Sequence, residues 1–184
     1  MKPLGPIPPG FVSREGELVI AGQTASELVK RSGATPLFVY SGEMIRAKVE
    51  ALRAAMPERL ALHYAIKANP YAPILELMSE LVDGFDVASG GELRMVREAG
   101  IEGSRISFAG PGKRDAELAA ALFAGVTINV ESESEVTRVL AIAGRSAMRA
   151  RLAIRVNPDF DLKGSGMKMG GGAKPFGVDA ERVV

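Results

Sequence analysis

Beyond residue 60 the apolar positions of the chain switch repeatedly between two rhythms. Short stretches alternate with period two and longer ones recur every three or four residues. The pattern predicts strands at 60–67, 84–88, 105–109, 126–130 and 151–157, with helical segments between the first four. Glycines at 84, 103, 125 and 144 mark the returns from helix to strand. Upstream, Ile45, Val49, Leu52 and Met56 keep helical spacing until Pro57 stops the run. Residues 35–40 read as a further strand. The Pro- and Gly-rich first 35 residues read as an irregular arm with one edge strand at 17–20. Strand–helix alternation of this kind implies a parallel sheet with right-handed crossovers.

The parity of the strand residues separates two architectures. Phe85 and Val87, Ile106 and Phe108, Val126, Ile128 and Val130, then Leu152, Ile154 and Val156 share one face of their strands. The opposite face carries small or polar residues: Asp86, Ala88, Ser107, Ala109, Thr127, Asn129, Ala153 and Arg155. An open doubly wound sheet is covered by helices on both sides, so its strands become continuous apolar runs. In a closed barrel all helices lie outside, and the inner face is left for a site. The second pattern fits. A complete (β/α)8 barrel takes roughly 250 residues, whereas five barrel strands precede Val184. The expectation is therefore a longer natural protein, or a second chain that completes the barrel.

Composition narrows the function classes. A chain of 184 residues, 47% of them hydrophobic, can bury a real core. Lys and Arg number 23 against 22 Asp and Glu, so no basic stripe recommends nucleic acid. With no Cys there is no disulfide frame or thiolate nucleophile, and a single His argues against a histidine-built metal site. Neither a secretory leader nor an apolar run near twenty residues is present, which points to a cytoplasmic protein without a membrane span.

Candidate chemistry centres on Lys67. It ends the strand of His63, Tyr64, Ala65 and Ile66, sharing parity with His63 and Ala65. Asn69 offers an N-cap and Pro70 a first helical residue, opening a helix with Ile74, Leu75, Leu77, Met78 and Leu81 on its apolar side. An amine at a strand-to-helix junction of an α/β protein, partly desolvated, loses its proton more easily and can form a Schiff base. On the residues alone, a lysine that only reaches water from a strand end is the favoured reading of the position.

Five blocks in order resemble a known family. They are Tyr64-Ala65-Ile66-Lys67-Ala68-Asn69, Phe85-Asp86-Val87-Ala88-Ser89-Gly90-Gly91-Glu92-Leu93, Phe108-Ala109-Gly110-Pro111-Gly112-Lys113, Asn129-Val130-Glu131-Ser132 and Arg155-Val156-Asn157-Pro158. Together they resemble the pyridoxal-phosphate-dependent decarboxylases of the diaminopimelate, ornithine and arginine decarboxylase family. The resemblance implies an alanine-racemase-like TIM barrel (fold type III), of which residues 42–184 would be the first part. It also assigns residues 1–41 to an arm and strand of a second β-domain. Residues 161–172, rich in Gly and Met, depart from the diaminopimelate decarboxylase pattern before Lys174-Pro175-Phe176-Gly177. That insert is similar to the subgroup associated with exosortase and exopolysaccharide loci.

The resemblance implies an amino-acid carboxy-lyase using pyridoxal 5'-phosphate. Lys67 would hold the cofactor as a Schiff base, with Asp86, Glu92 and Arg155 as further cofactor-binding residues. The substrate would be a diaminopimelate-, ornithine- or lysine-like amino acid, and the full-length protein a homodimer. The family's stacked histidine, phosphate loop and acidic pyridinium partner would lie downstream of Val184. An amino-acid racemase on the same barrel, or a non-catalytic relative that only binds cofactor or partner, are the alternatives.

Each residue also has a plainer role. Ser89 and Glu92 form a Ser-x-x-Glu capping box, as do Ser132 and Glu135, for which the family suggests no site role. Arg155, on the inward face, needs an anion: the cofactor's phenolate oxygen, a site carboxylate, or Glu131 on the adjacent strand. His63 reads as a satisfied core histidine, and 167–172 as a lid or substrate loop.

Overall fold

The computed structural model describes residues 11–158 and 176–183. The chain divides into two compact units, residues 1–60 and 61–184. The Gly/Met-rich insert at 161–172 lies outside the described residues.

The first unit is more regular than the arm expected from its composition. Strands β1 (Val12–Arg14), β2 (Glu17–Ile20) and β3 (Gln23–Thr24) form an antiparallel sheet in that order. Glu15-Gly16 and Ala21-Gly22 make the reversals, with φ of 52° and 80°, then 49° and 78°. Paired left-handed residues are what two-residue hairpin turns require. Thr24 then caps α1 (Ala25–Ser32). Its Oγ1 accepts from the Glu27 N–H at 3.2 Å, and the Glu27 carboxylate accepts from the Thr24 N–H at 2.8 Å.

Residues 35–40, expected as a strand, form none. A strand exists only in a ladder, and none of the sheets among the described residues includes them. Ser41 caps α2 (Gly42–Ala55), its Oγ accepting from the Met44 N–H at 3.2 Å, and the helix stops ahead of Pro57. Of the predicted apolar stripe, Ile45 and Val49 are half-buried and Leu52 is exposed.

The second unit carries the alternation read from the sequence. Its elements are β4 (His63–Ala65), α3 (Ala72–Leu81), β5 (Gly84–Val87), α4 (Gly90–Glu98), β6 (Ile106–Phe108), α5 (Asp115–Phe123), β7 (Thr127–Val130), α6 (Glu133–Arg145) and β8 (Arg151–Ile154). The five strands make one parallel sheet in sequence order. β9 (Val156–Asn157) and β10 (Val178–Asp179) form a separate parallel pair. Phe85, Val87, Ile106, Phe108, Ile128 and Val130 are all buried. With the buried Leu75, Val96, Leu118 and Val139 of the helices they build the core. The opposite face holds a row in register, Ala65–Asp86–Ser107. β5, β6 and β7 thus show the expected parity, large apolar residues on one face and small or polar ones on the other. At β8 the apolar face is open: Ile154 is 55% exposed, and Leu152 and Val156 are exposed too.

The junction after β4 differs from the expected one. A single 3₁₀ turn, Ile66–Ala68, follows the strand, and α3 begins at Ala72 with Pro73 in its first turn. Asn69 is not the cap. Its Oδ1 accepts from the Tyr71 N–H at 3.0 Å, closing a local turn two residues long. Among the described residues no helix is long and apolar enough to cross a membrane.

Candidate active site

Lys67 rides on the 3₁₀ turn, held from both sides. Ile66 is wholly buried beneath it, and the Tyr64 hydroxyl donates to the Asn69 carbonyl at 3.1 Å. Tyr64 in turn meets the Phe85 ring edge-on, centroids 6.1 Å apart. The two anchors fix the backbone that presents the lysine.

Asp86 comes from the inward face of β5. Past that strand, Ser89 caps α4, its Oγ accepting from the Glu92 N–H at 3.2 Å. The Glu92 carboxylate reaches back to the Ala88 N–H at 2.6 Å, one residue before the cap, so one of its oxygens is committed to the backbone. Arg155 lies between β8 and β9. Its N–H donates to the Val130 carbonyl at 3.0 Å and its carbonyl accepts from the Val178 N–H at 2.8 Å.

These four side chains meet. Lys67, Asp86, Glu92 and Arg155 line one cleft of about 620 Å³, together with Ser107, Asn129 and Phe176. Small residues, Ala65, Ala88, Ala109 and Gly110, also line it. Asn129 Nδ2 donates to Ser107 Oγ at 2.6 Å, tying two inward positions together. Lys67 is exposed rather than partly desolvated, because the small residues around it leave it open to solvent.

Arg155 makes the structural pair expected with Glu131 and also lines the cleft. While lining the cleft, it donates from Nη1 to both oxygens of Glu131, at 3.2 and 3.3 Å, and its guanidinium lies 4.9 Å from the centre of the Phe176 ring. His63 is not a core histidine. It is exposed, and its Nδ1 lies 3.3 Å from Asp86 Oδ1. Its parity was read correctly, but the inner face it shares is open rather than filled.

Sequence reasoning missed a buried group behind the cleft. Lys113 Nζ donates to Glu135 Oε1 at 2.9 Å and to the Gly110 carbonyl at 2.6 Å; the two side chains are 1% and 4% exposed. Glu135 also accepts the Glu131 N–H at 2.8 Å, while Ser132 caps α6 as its capping pattern indicates. The sequence carried no signal for it, because a lysine after Gly110-Pro111-Gly112 reads as an ordinary solvated loop residue.

Comparison with known proteins adds the family. The model of the pyridoxal-dependent decarboxylase family, pyridoxal binding domain, matches residues 42–184. The diaminopimelate decarboxylase of Aquifex aeolicus is 43% identical over 172 residues, 90% of this chain and 40% of that protein. A decarboxylase of L-glutamyl-BtrI acyl-carrier protein from Niallia circulans is 36% identical over 146 residues, covering 79% and 34%. Among solved structures, a diaminopimelate decarboxylase from M. jannaschii superposes with a TM-score of 0.80 at 31% identity, over 94% of this chain and 42% of that one. The Helicobacter pylori enzyme complexed with L-lysine gives 0.77 at 33% identity, over 85% and 40%. The chain thus spans about 40% of the length of these relatives. Its parallel sheet, matched to part of their alanine-racemase-like barrel, and the family match over 42–184 place the chain among the pyridoxal-dependent decarboxylases, whose pyridoxal-binding domain it carries.

Proposed function

We propose that the whole protein is a pyridoxal-phosphate-dependent amino-acid decarboxylase acting on a diaminopimelate-, ornithine- or lysine-like substrate, with Lys67 as its cofactor lysine. The observation that carries this reading is the meeting of Lys67, Asp86, Glu92 and Arg155 on one cleft. The donor set suits the group. An amine, two carboxylates and a guanidinium share a cleft otherwise lined largely by small residues, in a volume of ordinary ligand-site size. When bound, the cofactor accepts the electron pair released as the Cα–carboxylate bond breaks and carbon dioxide departs, before a proton returns to Cα.

The chain's own residues do the rest. Lys67 supplies the amine that attaches the aldehyde, and its anchored turn fixes where that attachment sits. Asp86 provides negative charge on the inward face beside it, where it can hold a proton or a cationic nitrogen. Arg155 presents a guanidinium whose charge Glu131 already balances, so it can donate to an oxyanion without bringing uncompensated positive charge into the cleft. Glu92, half engaged by the Ala88 N–H, is the second carboxylate.

The same reading assigns residues 1–41 to a second, β-rich domain and makes the full-length protein a cytoplasmic homodimer. The insert at 161–172 supports the exosortase-associated subgroup. The Niallia relative adds a carrier-bound amino acid to the substrates worth offering. The test is to load the full-length protein with pyridoxal phosphate, reduce with borohydride and map the adduct by mass. The cofactor mass is expected on Lys67, and Lys67→Ala is expected to abolish carbon dioxide release from every amino acid tried. An adduct on another lysine refutes the assignment. Racemisation without carbon dioxide would move the enzyme to the racemases.

A further inference from the structure

Glu131 was expected only as a structural partner for Arg155, yet its carboxylate does more than close one ion pair. The side chain is 1% exposed, and three segments distant in sequence converge on it. The Gly110 N–H donates to Oε1, the Arg155 guanidinium to both oxygens, and the Gly177 N–H to Oε2 at 3.2 Å. Two of those donors, Gly110 and Arg155, belong to residues that line the cleft. Glu131 itself is not among the residues that line the cleft; it is one of those bounding a neighbouring depression with Ser132 and Asp179.

The remaining polar atoms close a ring. The Glu131 N–H is taken by Glu135, Glu135 holds Lys113, and Lys113 donates to the carbonyl of the same Gly110 whose N–H Glu131 accepts. Both polar groups of Gly110 are therefore engaged by buried charged side chains. A buried carboxylate accepting from three independent segments is costly unless its charge is needed, since an apolar replacement of a buried pair is often no less stable. The charge here fixes a cationic side chain at the wall of a ligand cleft.

We propose that Glu131 is a positioning residue for the cofactor cleft: it aims the Arg155 guanidinium and clamps the Gly110 wall, acting through them rather than touching the ligand. This rests on the reading of the cleft as the pyridoxal-phosphate site. Glu131→Gln keeps an oxygen for the Gly110 N–H and removes the charge that orients Arg155. In the full-length protein it is expected to weaken pyridoxal phosphate binding about tenfold, the scale seen when an outer-shell partner of a site is lost. Binding is followed by direct titration of the apoprotein, not by activity.

The decisive comparison is Arg155→Met with and without Glu131→Gln. If Glu131 works through Arg155, the second change should alter cofactor affinity less than about twofold, because the group it aims is gone. Arg155→Met alone leaves the Glu131 carboxylate without its cation, so the affinity of that variant is read on the folded fraction. The double variant carries no unpaired charge at this pair and remains readable even where Glu131→Gln alone folds poorly. Wild-type affinity in Glu131→Gln overturns the proposal, and so does an equal loss in the Arg155→Met background, which would make Glu131 an independent structural element. A wild-type protein that does not take up pyridoxal phosphate overturns the reading of the cleft, and this inference with it.

Discussion

Glu117 sits in the first turn of α5 and accepts from three donors. The Arg114 N–H and Arg114 Nε reach Oε2 at 2.9 and 3.1 Å, and the Gly90 N–H reaches Oε1 at 2.7 Å. These bonds, the Arg114 N–H first, then its guanidinium and the Gly90 N–H, hold the carboxyl well below its ordinary 4.5, at about 2. Because the folded value is depressed, the stabilisation is complete above about pH 4.5 and is lost as pH falls towards 2. Glu117→Gln is expected to cost about 1–2 kcal/mol at neutral pH, with the gap to wild type closing between pH 4.5 and 2 in denaturant titrations. A gap constant with pH would show that the charge plays no part. At this scale inward parity placed Asp86 and Arg155 on the face that lines the cleft, whereas the choice of Lys67 came from the resemblance, since a strand end alone favours a lysine that merely reaches water. Glu131, Glu135 and Lys113 were quoted within motifs but their joint role was not visible. Nothing in a linear sequence shows that residues 110, 113, 131, 135 and 155 share one buried network.

Elements were legible where periodicity ran long and illegible where a turn decided the outcome. The strands β5 to β8 and helices α3 to α5 follow from alternation and helical spacing. The hairpins of β1 to β3 went unread because their strands are two to four residues long. Their signals were local: Glu15-Gly16, Ala21-Gly22 and the Thr24 to Glu27 capping box. At the Lys67 junction two local rules competed, and the Asn69 side chain chose a turn over a cap. Glycines expected merely to punctuate helix-to-strand returns divide physically. A Cβ at Gly103 would lie 1.6 Å from the Ala124 carbonyl oxygen, backbone that holds the end of α5. At Gly144 it would meet nothing within 4 Å. Gly103→Ala is therefore expected to destabilise by about 3 kcal/mol. Gly144→Ala, near the end of α6, should gain about 0.5 kcal/mol. Thermal melts of the two variants side by side check the contrast, and equal effects would contradict it.

Over the whole molecule, stability and chemistry occupy opposite faces of one sheet. The outward face of β5 to β7 is the core, and the inward face of the same strands bears Asp86, Ser107 and Asn129, none of them buried. A single alternation thus supplies both: each large apolar residue that packs beneath a helix turns its small or polar neighbour towards the cleft. This is why parity in the sequence indicated the architecture together with the residues that line the cleft. It also predicts an uneven response to truncation along the sheet. Phe108 is wholly buried, whereas Ile154, of the same parity on β8, is 55% exposed. Phe108→Ala is expected to cost this chain about 3–5 kcal/mol, and Ile154→Ala less than about 1 kcal/mol. Equal losses in a denaturant midpoint comparison would mean that the outward face of β8 is covered in solution, and that the core extends one strand further than the buried residues of β5 to β7 define. Neither substitution touches the cleft. Cofactor titration of Ile154→Ala should therefore match wild type even as Phe108→Ala loses binding in proportion to the folded protein lost.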